Sequence, residues 1–144
     1  MIPFCLVVGD STAVGTAEAL AAQGMRCAVH ARVGAPASET ARTLRAGSAA
    51  GRVLIAVGSN DAEDAALARN PIVIRQKTSA GRVTWLAPYH AGAAKIVGDI
   101  ATRFGDEVVW LSAVPSRDRV HPASYRRIAL SLSLIHISEP TRPY

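Results

Sequence analysis

The sequence predicts a single doubly wound α/β domain, with one parallel sheet and helices packed on both faces. Short apolar runs alternate with helix-favouring runs along the whole chain, and strands so separated are joined by right-handed crossovers into a parallel sheet. The apolar runs do not alternate with polar residues; Val53-Leu54-Ile55-Ala56-Val57 is the clearest case, and such a strand is covered on both faces. The runs also stop at small polar turns, as at Gly9-Asp10-Ser11 and Gly58-Ser59-Asn60-Asp61. The chain has 144 residues, 49% hydrophobic and 19% charged, which suits one domain with a proper core.

In order, residues 4–8 (Phe-Cys-Leu-Val-Val) read as the first strand and residues 14–23 as the first helix, stopped by Gly24. Residues 26–31 form a second strand, residues 32–36 a loop through Gly34 and Pro36, and residues 38–46 a helix ended by Gly47. Residues 52–57 form the third strand. Asn70-Pro71 has the form of an N-cap followed by proline in the first turn. Ile72-Val73-Ile74 has strand propensity, but two parallel strands need a crossover between them, so residues 71–79 are assigned to helix. Residues 83–86 form the fourth strand. Residues 91–104 form a helix with Ala94, Val97, Ile100, Ala101 and Phe104 at helical spacing. Residues 107–111 form the fifth strand, and a polar loop over 116–122 leads into a last helix from Ala123.

Composition narrows the function. Net charge is +5 and the isoelectric point is about 9.9, but Lys and Arg are scattered, as expected of a solvated surface. With 5% aromatic residues a base-stacking nucleic-acid platform is not expected. Cys5 and Cys27 lie in apolar runs and read as buried free thiols, with no metal-ligand spacing. Met1 to Val8 lack a basic start and a cleavage site, so they read as strand rather than signal peptide. No run is long enough to span a bilayer. A cytoplasmic chain is the simplest expectation.

In a parallel sheet the turns after strands 1, 2, 3 and 5 share one edge, where open α/β sheets build their sites. That edge collects Ser11, Gly34, Asn60, Asp118 and His121. Acyl transfer needs a nucleophile, a base, a group that orients the base, and donors for the oxyanion. Ser11 can be the nucleophile and His121 the base. Asp118, three residues earlier, can reach the far ring nitrogen. The N–H groups of Ser11 and Gly34 and the Asn60 amide can take the oxyanion, and Gly34 leaves its N–H open to close approach. Each residue has a plainer reading: Ser11 as a helix cap, Asn60 and Asp61 as turn residues, Asp118 and His121 as an ordinary loop. His90, on the same edge after strand 4, is a rival base or a substrate contact, with nothing but its position to support it. His30 reads as structural, Trp85 as packing and Tyr89 as packing or a pocket wall.

Gly9-Asp10-Ser11, Gly34, Gly58-x-Asn60-Asp61 and Asp118-x-x-His121 resemble, in order, the four sequence blocks of the SGNH hydrolases, also called GDSL-type esterases. The resemblance spans residues 5–130. It implies a flavodoxin-like three-layer sandwich with sheet order 2-1-3-4-5, and ester hydrolysis without metal or organic cofactor. It assigns Ser11, Asp118 and His121 to a catalytic triad, and Ser11, Gly34 and Asn60 to an oxyanion hole. Thr12 stands where the family usually has Leu, at a variable position. The chain is short for the family, without insertions that build a lid or acyl tunnel. That points to a small or exposed ester, such as a carbohydrate O-acetyl group. The alternative is a non-catalytic flavodoxin-like domain that binds a small anionic ligand at the same edge; no phosphate-binding G-x-x-x-x-G-K-[ST] loop is present.

From Leu132 the chain changes character. Residues 132–144 resemble an in-frame translation of a transposase-end sequencing adapter, which would confine the native domain to residues 1–131. On that reading the last helix is cut short, His136 has no chemical role, and deletion of residues 132–144 leaves activity unchanged.

Overall fold

A computed structural model describes residues 2–138; Met1 and the last six residues of the adapter-like tail lie outside the described residues. The strands are β1 (Cys5–Gly9), β2 (Ala28–Ala31), β3 (Ser48–Ala56), β4 (Thr78–Ala87) and β5 (Glu107–Trp110). They form one sheet in the order β2-β1-β3-β4-β5, with every neighbouring pair parallel. The helices are α1 (Ser11–Ala22), α2 (Ala37–Thr43), α3 (Asn70–Gln76), α4 (Ala91–Phe104) and α5 (Arg126–Ser138), with short 3-10 turns at Ala65–Ala68 and Leu111–Ala113. This is the flavodoxin-like arrangement expected from the sequence.

The side-chain alternation of the strands sorts the core into two layers. On one face Val7, Leu54, Ala56 and Leu86 meet Ala13, Ala17 and Leu20 of α1 and Ile128, Ala129 and Leu132 of α5. On the other, Leu6, Val8, Val53, Ile55 and Trp85 meet α2, α3 and α4 through Ala37, Ala41, Ile74, Val97 and Ile100. Each such Leu or Ile, fully buried, stabilises the fold by about 1.5–3 kcal/mol relative to exposure. α5 runs through the boundary expected after residue 131. Leu132 is fully buried, and its carbonyl accepts a 3.0 Å hydrogen bond from the buried Arg52.

Several local expectations differ from the structure; the last helix, expected from Ala123, begins at Arg126. The first helix begins at Ser11 rather than at residue 14, because Asp10 caps it. The helix expected over 71–79 ends at Gln76, and Thr78 already belongs to β4. There Ser48, Ala49 and Ala50 pair with Thr78, Ser79 and Ala80. Both strands therefore extend through small and polar residues that carry no apolar run. The cysteines are not free thiols: Cys5 and Cys27 form a disulfide. The β1–β2 register pairs Leu6 with Ala28, and stepping back one residue on each strand brings the two cysteines side by side, with Cα atoms 4.7 Å apart. The bond encloses α1 in a loop with a sequence separation of 22, which stabilises the fold by about 3 kcal/mol in the chain-entropy account. Disulfides persist in oxidising surroundings, and the expectation of a cytoplasmic chain took no account of one. Among the described residues no helix is long and apolar enough to cross a membrane.

β1 ends on a residue that admits no side chain. Gly9 has φ +136°, and a Cβ there would lie 1.8 Å from the Ala56 carbonyl oxygen. Gly9→Ala should therefore cost on the order of 3 kcal/mol through strain and overpacking, read as a lowered urea midpoint with an unchanged slope.

Candidate active site

The site begins with a cap. The Asp10 side chain accepts from Thr12 N–H at 2.8 Å and from the Thr12 hydroxyl at 2.6 Å, while its carbonyl accepts from the N–H groups of Ala13 and Val14. Asp10 thus meets the N–H groups of Thr12, Ala13 and Val14 in the first helical turn. Ser11 is not the cap, and its hydroxyl is left for another partner. Its own N–H makes no hydrogen bond among the described residues, at the positive end of α1.

That other partner comes from 110 residues further along. Ser11 Oγ lies 2.8 Å from His121 Nε2. His121 Nδ1 lies 2.9 Å from Asp118 Oδ2. Asp118 Oδ1 accepts from the N–H groups of Val120 at 2.9 Å and His121 at 2.8 Å. These bonds, the His121 backbone first, hold the Asp118 carboxyl well below the usual carboxylate range. Ser116, which the sequence did not single out, braces the loop: its hydroxyl donates to the His121 carbonyl at 2.6 Å and accepts from Arg119 N–H at 2.9 Å. The turn leaves Arg119 in the left-handed region, φ 59°, the one non-glycine residue so placed among the described residues. The centre is open, with the His121 side chain 43% and the Asp118 side chain 55% exposed.

The neighbouring turns are stitched to this one. Arg32 N–H donates to the Gly9 carbonyl at 3.1 Å and Asp10 N–H to the Ala56 carbonyl at 3.0 Å; Ser59 N–H reaches Asp10 Oδ2 at 3.4 Å. Asn60 Nδ2 donates to the Ala35 carbonyl at 3.2 Å. One hydrogen of that amide is so engaged and the other remains for a ligand. Gly34 sits at φ +83° in a turn closed by Ala35 N–H on the Arg32 carbonyl, and its own N–H is unbonded among the described residues. α2, which has no side-chain cap of its own, is capped instead by Asp61, whose Oδ2 accepts from Ala37 N–H at 2.9 Å. The five residues singled out from the sequence thus sit on turns at one sheet edge. Hydrogen bonds join Ser11, Asp118 and His121 directly, and Gly34 and Asn60 flank them through the turns after β2 and β3.

His90, the rival base, serves as N-cap of α4, its Nδ1 accepting from Ala93 N–H at 3.1 Å. His30 lies 2.9 Å from the Thr43 hydroxyl, between β2 and α2. Tyr89 is buried, with its hydroxyl donating to the Val114 carbonyl at 2.9 Å, and it walls a cleft of about 300 Å³ together with Ser116 and Arg119. A cleft of about 410 Å³ around Arg75, Arg82 and Glu107 lies at the opposite, amino-terminal edge of the strands, remote from this chemistry. Among the described residues no group of three or more His, Cys, Asp and Glu side chains could hold a metal ion.

The sequence matches no family profile and no curated protein. Its fold does match solved structures. An aryl esterase from Mycobacterium smegmatis, in an inhibitor-bound form, superposes with a TM-score of 0.67 at 16% identity, over 93% of this chain and 98% of that one. A carbohydrate acetylesterase family member from Sinorhizobium meliloti superposes with 0.67 at 14%, over 96% and 98%. The C-terminal catalytic domain of peptidoglycan O-acetyltransferase A from Streptococcus pneumoniae, carrying a methylsulfonyl adduct, superposes with 0.62 at 13%, over 99% and 97%. At these identities the likeness is one of fold.

Asp61 supplies a test of the stitching. Burial pushes its carboxyl up, against the Ala37 N–H that lowers it, with Asp64 adding to the rise; Oδ1 is buried without a partner. A carboxyl whose pKa is raised by folding favours the folded state below its unfolded pKa of about 3.9, and that advantage is lost as pH rises through the folded value. Asp61→Asn keeps an oxygen for Ala37 N–H and removes the charge. Its melting temperature should equal that of the parent near pH 3 and exceed it at pH 7; a variant less stable at pH 7 would show that the charge is needed.

Proposed function

We propose that the protein is a serine esterase that hydrolyses small or exposed carboxylic esters, carbohydrate O-acetyl groups among them. The observation that carries this is the continuous chain of hydrogen bonds from Ser11 Oγ to His121 Nε2 and from His121 Nδ1 to Asp118. A binding domain has no use for such a chain. The named activities of the structural neighbours, aryl ester and carbohydrate acetyl ester cleavage and O-acetyl transfer, are in keeping with it.

In this mechanism Ser11 Oγ attacks the ester carbonyl while His121 Nε2 takes its proton. Asp118 holds His121 in the tautomer with hydrogen on Nδ1 and stabilises the imidazolium that forms. The carbonyl oxygen, now negative, is met by the N–H groups of Ser11 and Gly34 and the free Nδ2 hydrogen of Asn60. Collapse breaks the bond to the alcohol oxygen, which leaves with the proton from His121, and the acyl group stays on Ser11. Water, activated by His121, releases the carboxylic acid and restores the serine. The exposure of His121 and Asp118 gives that water direct access, and it suits an ester displayed on a larger molecule.

The test is hydrolysis of p-nitrophenyl acetate by the full chain beside three variants. Ser11→Ala should abolish turnover. Asp118→Asn should lower kcat by about 10⁴-fold, and Asn60→Ala by about 100–1000-fold. A sulfonyl fluoride should inactivate the parent and add one sulfonyl group to Ser11 by mass spectrometry. Equal rates in the parent and Ser11→Ala, together with tight saturable binding of a flavin or nucleotide, would replace the esterase with the binding domain.

A further inference from the structure

The His121 loop carries a cation that the chemistry above does not use. Arg119 is exposed, and its guanidinium makes no hydrogen bond or ion pair among the described residues. Its neighbour Asp118 does not neutralise it, because both Asp118 oxygens are turned onto Val120 and His121. The left-handed conformation at Arg119 is set by the Asp118 turn and the Ser116 bond to its N–H. A side chain held there has its origin fixed relative to His121, as a specificity contact requires.

Arg119 also lines two clefts, of about 300 Å³ and about 370 Å³, which share Tyr89, Ser112 and Arg119 and so lie side by side. The first is walled by Ser116, which is bonded to the His121 carbonyl. The second is floored by Trp110, 45% exposed at the end of the edge strand β5. Trp110 meets α4 with the Cη2 edge of its indole because residue 98 is glycine; a Cβ there would come 2.4 Å from that edge. The remaining charges in this cleft, Lys95 and Asp99, are paired with each other at 2.9 Å. The paired clefts therefore offer a half-exposed indole, the Ser112 hydroxyl and one uncommitted guanidinium. An indole beside a hydroxyl suits the apolar body and polar rim of a sugar ring, and a free guanidinium suits a carboxylate.

The place of Arg119 on the His121 loop, two residues before the imidazole, says which half of an ester the clefts would take. This step rests on the esterase reading. His121 delivers its proton to the leaving alcohol oxygen, so the alcohol lies on the side of the His121 loop, whereas Gly34 and Asn60 hold the carbonyl oxygen from the turns after β2 and β3. We propose that the Tyr89–Arg119–Trp110 groove binds the alcohol half of the substrate, and that this half is a carboxylate-bearing sugar whose anion pairs with Arg119.

Two measurements on the full chain test this. The first compares kcat/KM for 4-acetoxybenzoate, with its anion on the alcohol half, with phenyl acetate and with monophenyl succinate, with its anion on the acyl half. The ratio of the first to the second should fall about tenfold or more in Arg119→Gln, as loss of a charge-assisted pair predicts. The fall should appear in KM, and Arg119→Lys should recover part of it. The succinate ratio should not follow. An unchanged ratio, or a fall seen for the succinate instead, would overturn the assignment. The second measurement needs no turnover. Ser11→Ala is titrated with methyl glucuronide and with methyl glucoside while the indole N–H signals of Trp85 and Trp110 are followed by NMR. The glucuronide should shift the Trp110 signal saturably and several-fold more tightly than the glucoside, and adding Arg119→Gln should erase the difference. Equal or absent binding would overturn the groove. Glucuronide binding in a protein that cleaves none of the acetates would overturn the esterase and leave the groove standing.

Discussion

The site depends on the Asp10 carboxylate. It is fully buried, in a place where a carboxyl without partners would be costly. Burial pushes its pKa up, and the bonds to Thr12 and Ser59 oppose that rise. In return it holds the N–H and hydroxyl of Thr12 in the first turn of α1 and reaches across to the turn after β3. Two things follow. Ser11 keeps its hydroxyl because its neighbour does the capping, and the turns after β1 and β3 are held as one body. Without Asp10 the serine would be the natural cap, and the bond to His121 would compete with the helix for the same oxygen.

Around this carboxylate each turn is held by its neighbours. Gly9 brings β1 so close to β3 that no side chain fits between them. Arg32 ties the end of β2 to Gly9, Asn60 ties the β3 turn to Ala35, and Asp61 caps a helix to which it does not belong. A parallel sheet gathers the carboxyl ends of its strands at one edge, but it does not by itself fix the turns relative to one another. The cross-links between turns supply that. The His121 loop is fixed differently: it makes its own framework from Ser116, Asp118 and backbone N–H groups, and it remains open to solvent.

The chain's layers were legible because buried parallel strands are written as unbroken apolar runs and the turns between layers as glycine and polar residues. Ser11 was legible by the same token, since it sits where such a run ends, and Asp118 and His121 stood out by their spacing on the polar loop after the last strand. What escaped the sequence had a local reason. Asp10 and Ser11 are both good caps, and the sequence alone does not say which one is used. The first residues of β3 and β4, Ser48–Gly51 and Thr78–Arg82, are small, polar or charged, and they become strand by pairing with each other and not by burying an apolar face. The disulfide depends on register, which two cysteines in separate runs do not reveal. Arg119 carried no signal, because its conformation follows from the Asp118 turn.

The 110 residues between Ser11 and His121 also order events during synthesis. A ribosome delivers Ser11, its helix and most of the sheet well before the loop that carries His121. Until that loop arrives Ser11 Oγ has no imidazole beside it, however completely the first strands have folded. Long-range pairing of this kind is also the slow part of folding. The contact between Ser11 and His121 therefore forms late, after every strand of the sheet has been made.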